Sequence, residues 1–316
     1  MSGKSLPDGL AAWEKAFLEQ HQLPFAYLQD AQHWFAPLAK ALALHHCGAR
    51  RPGPAVARRT TLVGLNGSQG SGKTTLCAYL CALLQAEYGL RAIALSLDDF
   101  YLTRAARRKL GASVHPLLVT RGVPGTHDMA LLNGTLDALL ALEDGEVASV
   151  PRFDKALDDR RPPADWDSIE GGLDLVLLEG WCLGVKPQTT ARLLQPVNAL
   201  ESDEDPDAFW REYVNNALRR EFLPLYKRID CWVMLQAPSF DCVYRWRLEQ
   251  EQKLARATAG AQQGVMSERQ IARFIQHYQR LTEHGLATLP PAVDYLYTLD
   301  DRRRIIGRRP DWESHS

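Results

Sequence analysis

Residues 60–80, TTLVGLNGSQGSGKTTLCAYL, constrain the fold more than any other stretch. Within them Gly67, Ser68, Gln69, Gly70, Ser71, Gly72, Lys73 and Thr74 fit G-x-x-x-x-G-K-[ST], a loop whose backbone N–H groups cradle nucleoside triphosphate. The run 61–65 reads as a short buried strand, and 75–86, opening at Thr75, has the apolar spacing of a helix. An ordinary glycine-rich turn would not need both flanks. Glycines at 67, 70 and 72 let the backbone close on a polyanion without Cβ clashes. The helix beginning near Gly72 aims its positive dipole end at the phosphates. Lys73 supplies a mobile cation for the β- and γ-phosphates, and the Thr74 hydroxyl a ligand for Mg²⁺.

The rest of the chain alternates strands and helices. After a helix stop at Gly89, residues 91–97 read as a second parallel strand ending at Asp98 and Asp99. In open α/β sheets the ligand crevice lies at the carboxyl ends of strands, so this pair either faces the triphosphate or caps the next turn. Residues 103–120 are basic and less regular. Residues 121–128 form a rigid turn into a helix at 129–142, with Asp128 a possible N-cap. A short strand at 147–150 precedes a surface loop at 158–170. The apolar run 173–178 suits a strand covered on both faces, and ends in Glu179, either a direct or water-mediated Mg²⁺ ligand or an edge glutamate.

Further on, 196–207 with its acidic run reads as a solvated insertion. Helices are expected at 208–222, 240–257 (carrying Arg245, Arg247, Lys253 and Arg256) and 266–286, with Ser267 a plausible N-cap. Strands are expected at 231–235 and 293–299, and a solvated basic tail at 302–309. Before the first core strand, 10–20 and 25–46 show helical spacing broken near Leu23-Pro24, and 50–54 is a linker. His45-His46 reads as a helix end, since sequence neighbours do not share a helix face. The resulting organisation is an N-terminal helical extension, 1–58, and a phosphate-loop domain, 59–316. The fold class is α/β, a P-loop NTPase-type parallel sheet with helices on both faces.

Composition narrows the partners. The formal net charge of -1 over 316 residues creates no global field for nucleic acid or membrane binding, and no apolar run approaches a bilayer span. Six cysteines at 47, 77, 81, 182, 231 and 242 show no metal-ligand spacing, and the N-terminus lacks a secretory signal pattern. A reduced, cytoplasmic protein without structural metal is the expectation; oligomeric state is left open.

Strand, phosphate loop, helix, strand-Asp, turn and strand-Glu together resemble the phosphoribulokinase, uridine kinase and pantothenate kinase superfamily over most of 60–300. Asp98-Asp99-Phe100-Tyr101 is similar to its D-x-F-Y signature, and Leu177-Leu178-Glu179-Gly180 to its L-E-G strand end. A narrower resemblance, to D-glycerate 3-kinases and their bacterial kinase-like relatives, is carried by residues 96–103, 121–128, Pro151-Arg152-Phe153-Asp154-Lys155, 179–184 and 246–251. One departure is Ala156, where that family commonly has serine.

The resemblance implies an ATP- and Mg²⁺-dependent kinase of a small hydroxy acid, D-glycerate foremost. Asp98 would be the general base, with Tyr101, His127 and Asp128 at the substrate. Asp99 joins Thr74 and Glu179 as an expected metal ligand. Arg121, His127, Arg152 and Lys155 are the cations available to an acceptor carboxylate. Arg245 and Arg247 resemble lid arginines that close on the phosphates; spaced two apart, they do not share a helix face, so one is expected to point inward. Other readings are a kinase for a pantothenate- or nucleoside-like acceptor, a pseudokinase scaffold and a nucleotide-binding regulator. The absence of an N-K-x-D guanine motif argues against the last.

Overall fold

The computed structural model describes residues 9–49, 60–257 and 267–311. The expected linker at 50–54 and the boundary at 58–59 lie outside them, as do the side chains of Lys253 and Arg256. The strands are β1 (Thr61–Gly67), β2 (Ala92–Ser96), β3 (Val147–Val150), β4 (Phe153–Asp154), β5 (Asp159–Arg160), β6 (Asp167–Glu170), β7 (Leu175–Gly180), β8 (Cys231–Gln236), β9 (Tyr295–Leu299) and β10 (Ile305–Arg309). Six of them form one sheet in the order β10-β9-β8-β1-β7-β2. Neighbours are parallel except β9 and β10.

The two central strands are buried along their whole length and mostly apolar, as strands with helices on both faces must be, with Asn66 and Glu179 the polar residues near their carboxyl ends. One face of the sheet carries Val63, Leu65, Leu175, Leu177, Val233 and Leu235 into a cluster with the helix Lys73–Tyr88. The opposite face carries Leu62, Val176, Leu178 and Met234 against the helices Met129–Leu140 and Glu268–Thr288.

The N-terminal helices Ala12–His21 and Phe25–Ala49 join the first cluster. Trp13, Phe17, Tyr27 and Phe35 surround the buried ring of Tyr79, with centroids 5.6 to 6.4 Å away. His46 is buried against the sheet, its Nδ1 3.0 Å from Thr61 Oγ1 and its Nε2 3.2 Å from Asp174 Oδ1.

Four expectations change. Residues 103–120 contain the helix Arg104–Ser113, capped by Thr103 Oγ1 accepting from the Ala106 N–H at 3.2 Å. It was obscured because Arg107 occupies an inward position where a hydrophobe would be sought. The loop at 158–170 includes β5 and β6, which pair with β4 and β3. The tail at 302–309 includes β10, the antiparallel edge of the sheet. The acidic insertion contains the helix Ala199–Glu204 and is not simply solvated. Glu201 is buried beneath Arg280, whose Nη2 lies 2.6 Å from Oε2, and Asp205 is buried against Arg211 Nε at 2.8 Å.

Candidate active site

The parallel register sets three strand ends at one edge of the sheet. Leu65 of β1 and Ser96 of β2 both pair with Glu179 of β7. The phosphate loop leaves β1 at Gly67 and enters the helix Lys73–Tyr88 through Gly72, whose φ of 91° is a left-handed conformation that glycine adopts without strain. Thr74 Oγ1 donates to Glu179 Oε1 at 2.8 Å, and Lys73 Nζ lies 3.7 Å from Oε2. Glu179 is 3% exposed. Its Oε2 and the Ser68 and Ser71 hydroxyls are buried without a hydrogen bond. Such atoms are uncommon in folded chains, and three grouped here mark a surface built to receive polar groups.

Beyond β2 the chain tightens into a short helical turn, Leu97–Phe100, which presents Asp98. Tyr101 OH donates to Asp98 Oδ1 at 2.8 Å, and Lys155 Nζ donates to Oδ2 at 2.7 Å. Burial alone would raise this carboxyl's pKa, but Lys155, Lys73 and the Tyr101 hydroxyl pull it well below the carboxylate range. Asp98 is therefore ionised at neutral pH, between Lys73 of the phosphate loop and Lys155 of the turn after β4.

Asp99 points elsewhere. Its Oδ2 accepts from Arg152 Nη1 at 2.7 Å and its Oδ1 from the Phe153 N–H at 3.1 Å. With both oxygens committed, it anchors β4 beneath the site, and the metal-ligand role expected of it has no support in this arrangement. Arg152 is held in turn by Asp167 at 2.6 Å. Arg121 pairs with Asp158 and lies 5.5 Å from the Phe153 ring centroid.

The turn at 121–128 is pinned from outside the sheet. Trp181 Nε1 donates to the Gly122 carbonyl at 3.1 Å, and Tyr278 OH to the Arg121 carbonyl at 3.0 Å. Gly122, at φ 136°, must be glycine also because an added Cβ would sit 2.3 Å from Tyr278 OH. The turn then pairs His127 with Tyr101 in a β-bridge.

His127 is 4% exposed, its ring between those of Tyr101 at 4.6 Å and Phe222 at 5.7 Å. Among the described residues neither ring nitrogen makes a hydrogen bond of good geometry. Burial lowers its pKa to about 4, so the imidazole is neutral at pH 7 and does not serve as the cation expected there. Asp128 is the N-cap of Met129–Leu140, its Oδ1 accepting from the Leu131 N–H at 3.0 Å, while Oδ2 accepts from Arg160 Nη2 at 2.9 Å.

The two arginines of Phe240–Ala257 expected to form a lid diverge, as their spacing requires. Arg245 turns to Cys242 Sγ, 3.1 Å away, and to Asp301. Arg247 lies 5.6 Å from the Phe274 ring centroid. Arg107, Asp158, Arg160, Trp181 and Tyr278 were not singled out from the sequence as site residues. Only Trp181 lay in a quoted motif; Arg160 reaches Asp128 across 32 residues and Tyr278 reaches Arg121 across 157.

No protein-family model matches the chain. A kinase of Schizosaccharomyces pombe, mug58, is 33% identical over 253 residues, which span 77% of this chain and 84% of that one. The chain belongs to the kinase family that includes the D-glycerate 3-kinases and their kinase-like relatives. The chloroplastic D-glycerate 3-kinase of Arabidopsis thaliana is 34% identical over 235 residues, 72% of this chain but only 48% of that longer protein. The solved D-glycerate 3-kinase of Cryptococcus neoformans superposes with a TM-score of 0.73 at 28% identity, covering 86% of this chain and 96% of that one.

Membership makes this chain a P-loop phosphotransferase, and its kinase relatives imply ATP as the donor. Among the described residues no helix is long and apolar enough to cross a membrane.

Proposed function

We propose that this kinase transfers the γ-phosphoryl group of ATP to a hydroxyl of a short hydroxy acid, with D-glycerate giving 3-phosphoglycerate the first choice. The observation that carries this reading is Asp98, a carboxylate kept ionised between Lys73 of the phosphate loop and Lys155 of the acceptor side. The D-glycerate 3-kinase activity named for the Arabidopsis and Cryptococcus relatives favours glycerate among hydroxy acids.

In this reading, residues 67–75 wrap the triphosphate, and Lys73 neutralises the β- and γ-phosphates. Thr74 and Glu179 are the oxygen donors that would hold Mg²⁺, and the buried, unbonded Glu179 Oε2 fits that use. The ion would supply charge neutralisation across the phosphates, and a donor pair plus phosphate oxygens is the usual Mg²⁺ arrangement. Asp98 orients the acceptor hydroxyl and takes its proton. Tyr101 and His127 line the acceptor side, and Asp128 holds the turn that carries them. Arg247, and not Arg245, closes on the phosphates. Since the transition state is loose, positioning and charge placement do most of the work.

A coupled ADP-release assay over a panel of hydroxy acids, alcohols, pantothenate and nucleosides tests the reading. D-Glycerate is expected to give the highest kcat/KM. Slow ADP release that is indifferent to every acceptor would instead mark a nucleotide-binding regulator and end the proposal.

A further inference from the structure

We infer that Lys155 is an anion-operated latch on Asp98: the carboxylate of the acceptor draws the ammonium away and thereby bares the oxygen that receives the acceptor's proton. This inference rests on the kinase reading above and specifies how the acceptor class is chosen.

Four residues were available to bind an acceptor carboxylate, and their partners separate them. Arg121 is held by Asp158 and stacked near Phe153. Arg152 is held by Asp99 and Asp167. His127 is buried between two aromatic rings, with no ion pair. Lys155 alone of the four has the reacting carboxylate as its ion-pair partner, at 2.7 Å.

The two ends of that pair differ in freedom. Asp98 is fixed from its other oxygen by Tyr101 OH at 2.8 Å, whereas the Lys155 side chain is 61% exposed. Lys155 sits on the turn after β4, where Asp154 Oδ1 accepts from the N–H groups of Ala156 and Leu157 at 2.9 and 3.0 Å. The backbone is therefore set while four methylenes let the ammonium swing. An ion pair this exposed is worth only a few-fold in equilibrium constant, so a competing carboxylate can displace it.

Exchange has a chemical consequence. With Lys155 on the acceptor carboxylate, Asp98 Oδ2 is bare and can accept the hydroxyl proton. The acceptor oxygen then bonds to the γ-phosphorus as the bond from that phosphorus to the β,γ-bridging oxygen breaks, leaving ADP. An uncharged alcohol of the same skeleton cannot compete for the ammonium, and meets a base whose oxygen is already engaged. Selection for an anion is thus exercised on turnover as well as on binding.

The test compares D-glycerate with glycerol in wild type, Lys155→Met and Lys155→Arg, by ADP release. Lys155→Met should lose roughly tenfold to hundredfold in kcat/KM for glycerate, the range for one charge-assisted contact, while glycerol turnover rises. Lys155→Arg should retain much of the glycerate preference. Equal losses on both acceptors, or no loss on glycerate, would overturn the latch. A wild type inactive on glycerate but active on another acid would refute the proposed acceptor alone, and the latch would then be read on that acid and its uncharged analogue. A best acceptor with no anionic group would overturn the latch outright.

Discussion

Replacing Asp98 with asparagine separates chemistry from folding, because the structure puts the two effects on different scales. The side chain keeps its shape, and Oδ1 can still accept from Tyr101 OH. What disappears is the charged oxygen paired with Lys155, a contact whose partners are 61% and 27% exposed. Pairs this open contribute up to about 1 kcal/mol, equivalent to a fall in Tm of no more than about 4 °C in a chain of this size. Loss of a positioned general base costs roughly 10²- to 10⁴-fold in rate, or about 2.7 to 5.4 kcal/mol in the barrier. The loose transition state favours the lower half of that range.

ATP binding should survive. The phosphate loop, Lys73 and the Thr74–Glu179 contact are untouched, and one negative charge near the triphosphate is gone. Three measurements decide it: kcat by coupled ADP release, ATP affinity by calorimetry and Tm by thermal scan. The expected set is a kcat lowered about 10²- to 10³-fold, ATP affinity equal or better, and a nearly unchanged Tm. A variant within about threefold of wild-type kcat would refute the base assignment. So would loss of activity accompanied by loss of ATP binding or by a large fall in Tm, since Asp98 would then be holding the site together.

Two further outcomes follow from the same geometry. Glu179→Gln keeps an acceptor for Thr74 but removes the charge facing Lys73, so the Mg²⁺ concentration for half-maximal ADP release should rise roughly tenfold to hundredfold; an unchanged Mg²⁺ titration would remove Glu179 from the metal site. Burial holds His127 and His277 at about 4, against 6.5 when exposed. Between those values the unfolded chain binds more protons, so stability is full above pH 6.5 and is lost as pH falls toward 4. The urea midpoint should drop over that interval, and drop less in a His127→Asn, His277→Asn double variant; parallel curves would show that other groups carry the acid sensitivity.

The phosphate loop, the strand ends bearing Asp98 and Glu179, and the Asp128 cap were legible because each is set by neighbours in sequence. A loop that must aim consecutive N–H groups at one anion writes its glycines and lysine side by side. A parallel sheet brings strand ends to one edge, so carboxylates at those ends share a cleft once the strands are recognised. The same reasoning anticipated that Arg245 and Arg247 would diverge, and left the choice between them to packing: Asp301 draws one outward and the Phe274 ring meets the other.

Much of what the sequence hid comes from charges whose partners lie outside the local pattern. Glu201 and Asp205 sat in an acidic run typical of solvated surface, yet Arg280, 79 residues away, lets Glu201 be buried, and Arg211 does so for Asp205. Burying a charge costs too much unless a partner comes with it, and the partner is invisible in the local pattern. Asp99 and Arg152 make the same point at the site: 53 residues apart, they satisfy each other and leave the roles that residue type suggested for both. Which cation an acceptor can claim is therefore decided by what each cation already holds. Arg121 and Arg152 hold carboxylates that brace the walls, Lys73 holds Glu179, and Lys155 holds Asp98, the proposed base. In the proposed latch, an acceptor anion that takes Lys155 leaves the Arg121–Asp158 and Arg152–Asp99 pairs intact and alters only the partner of Asp98.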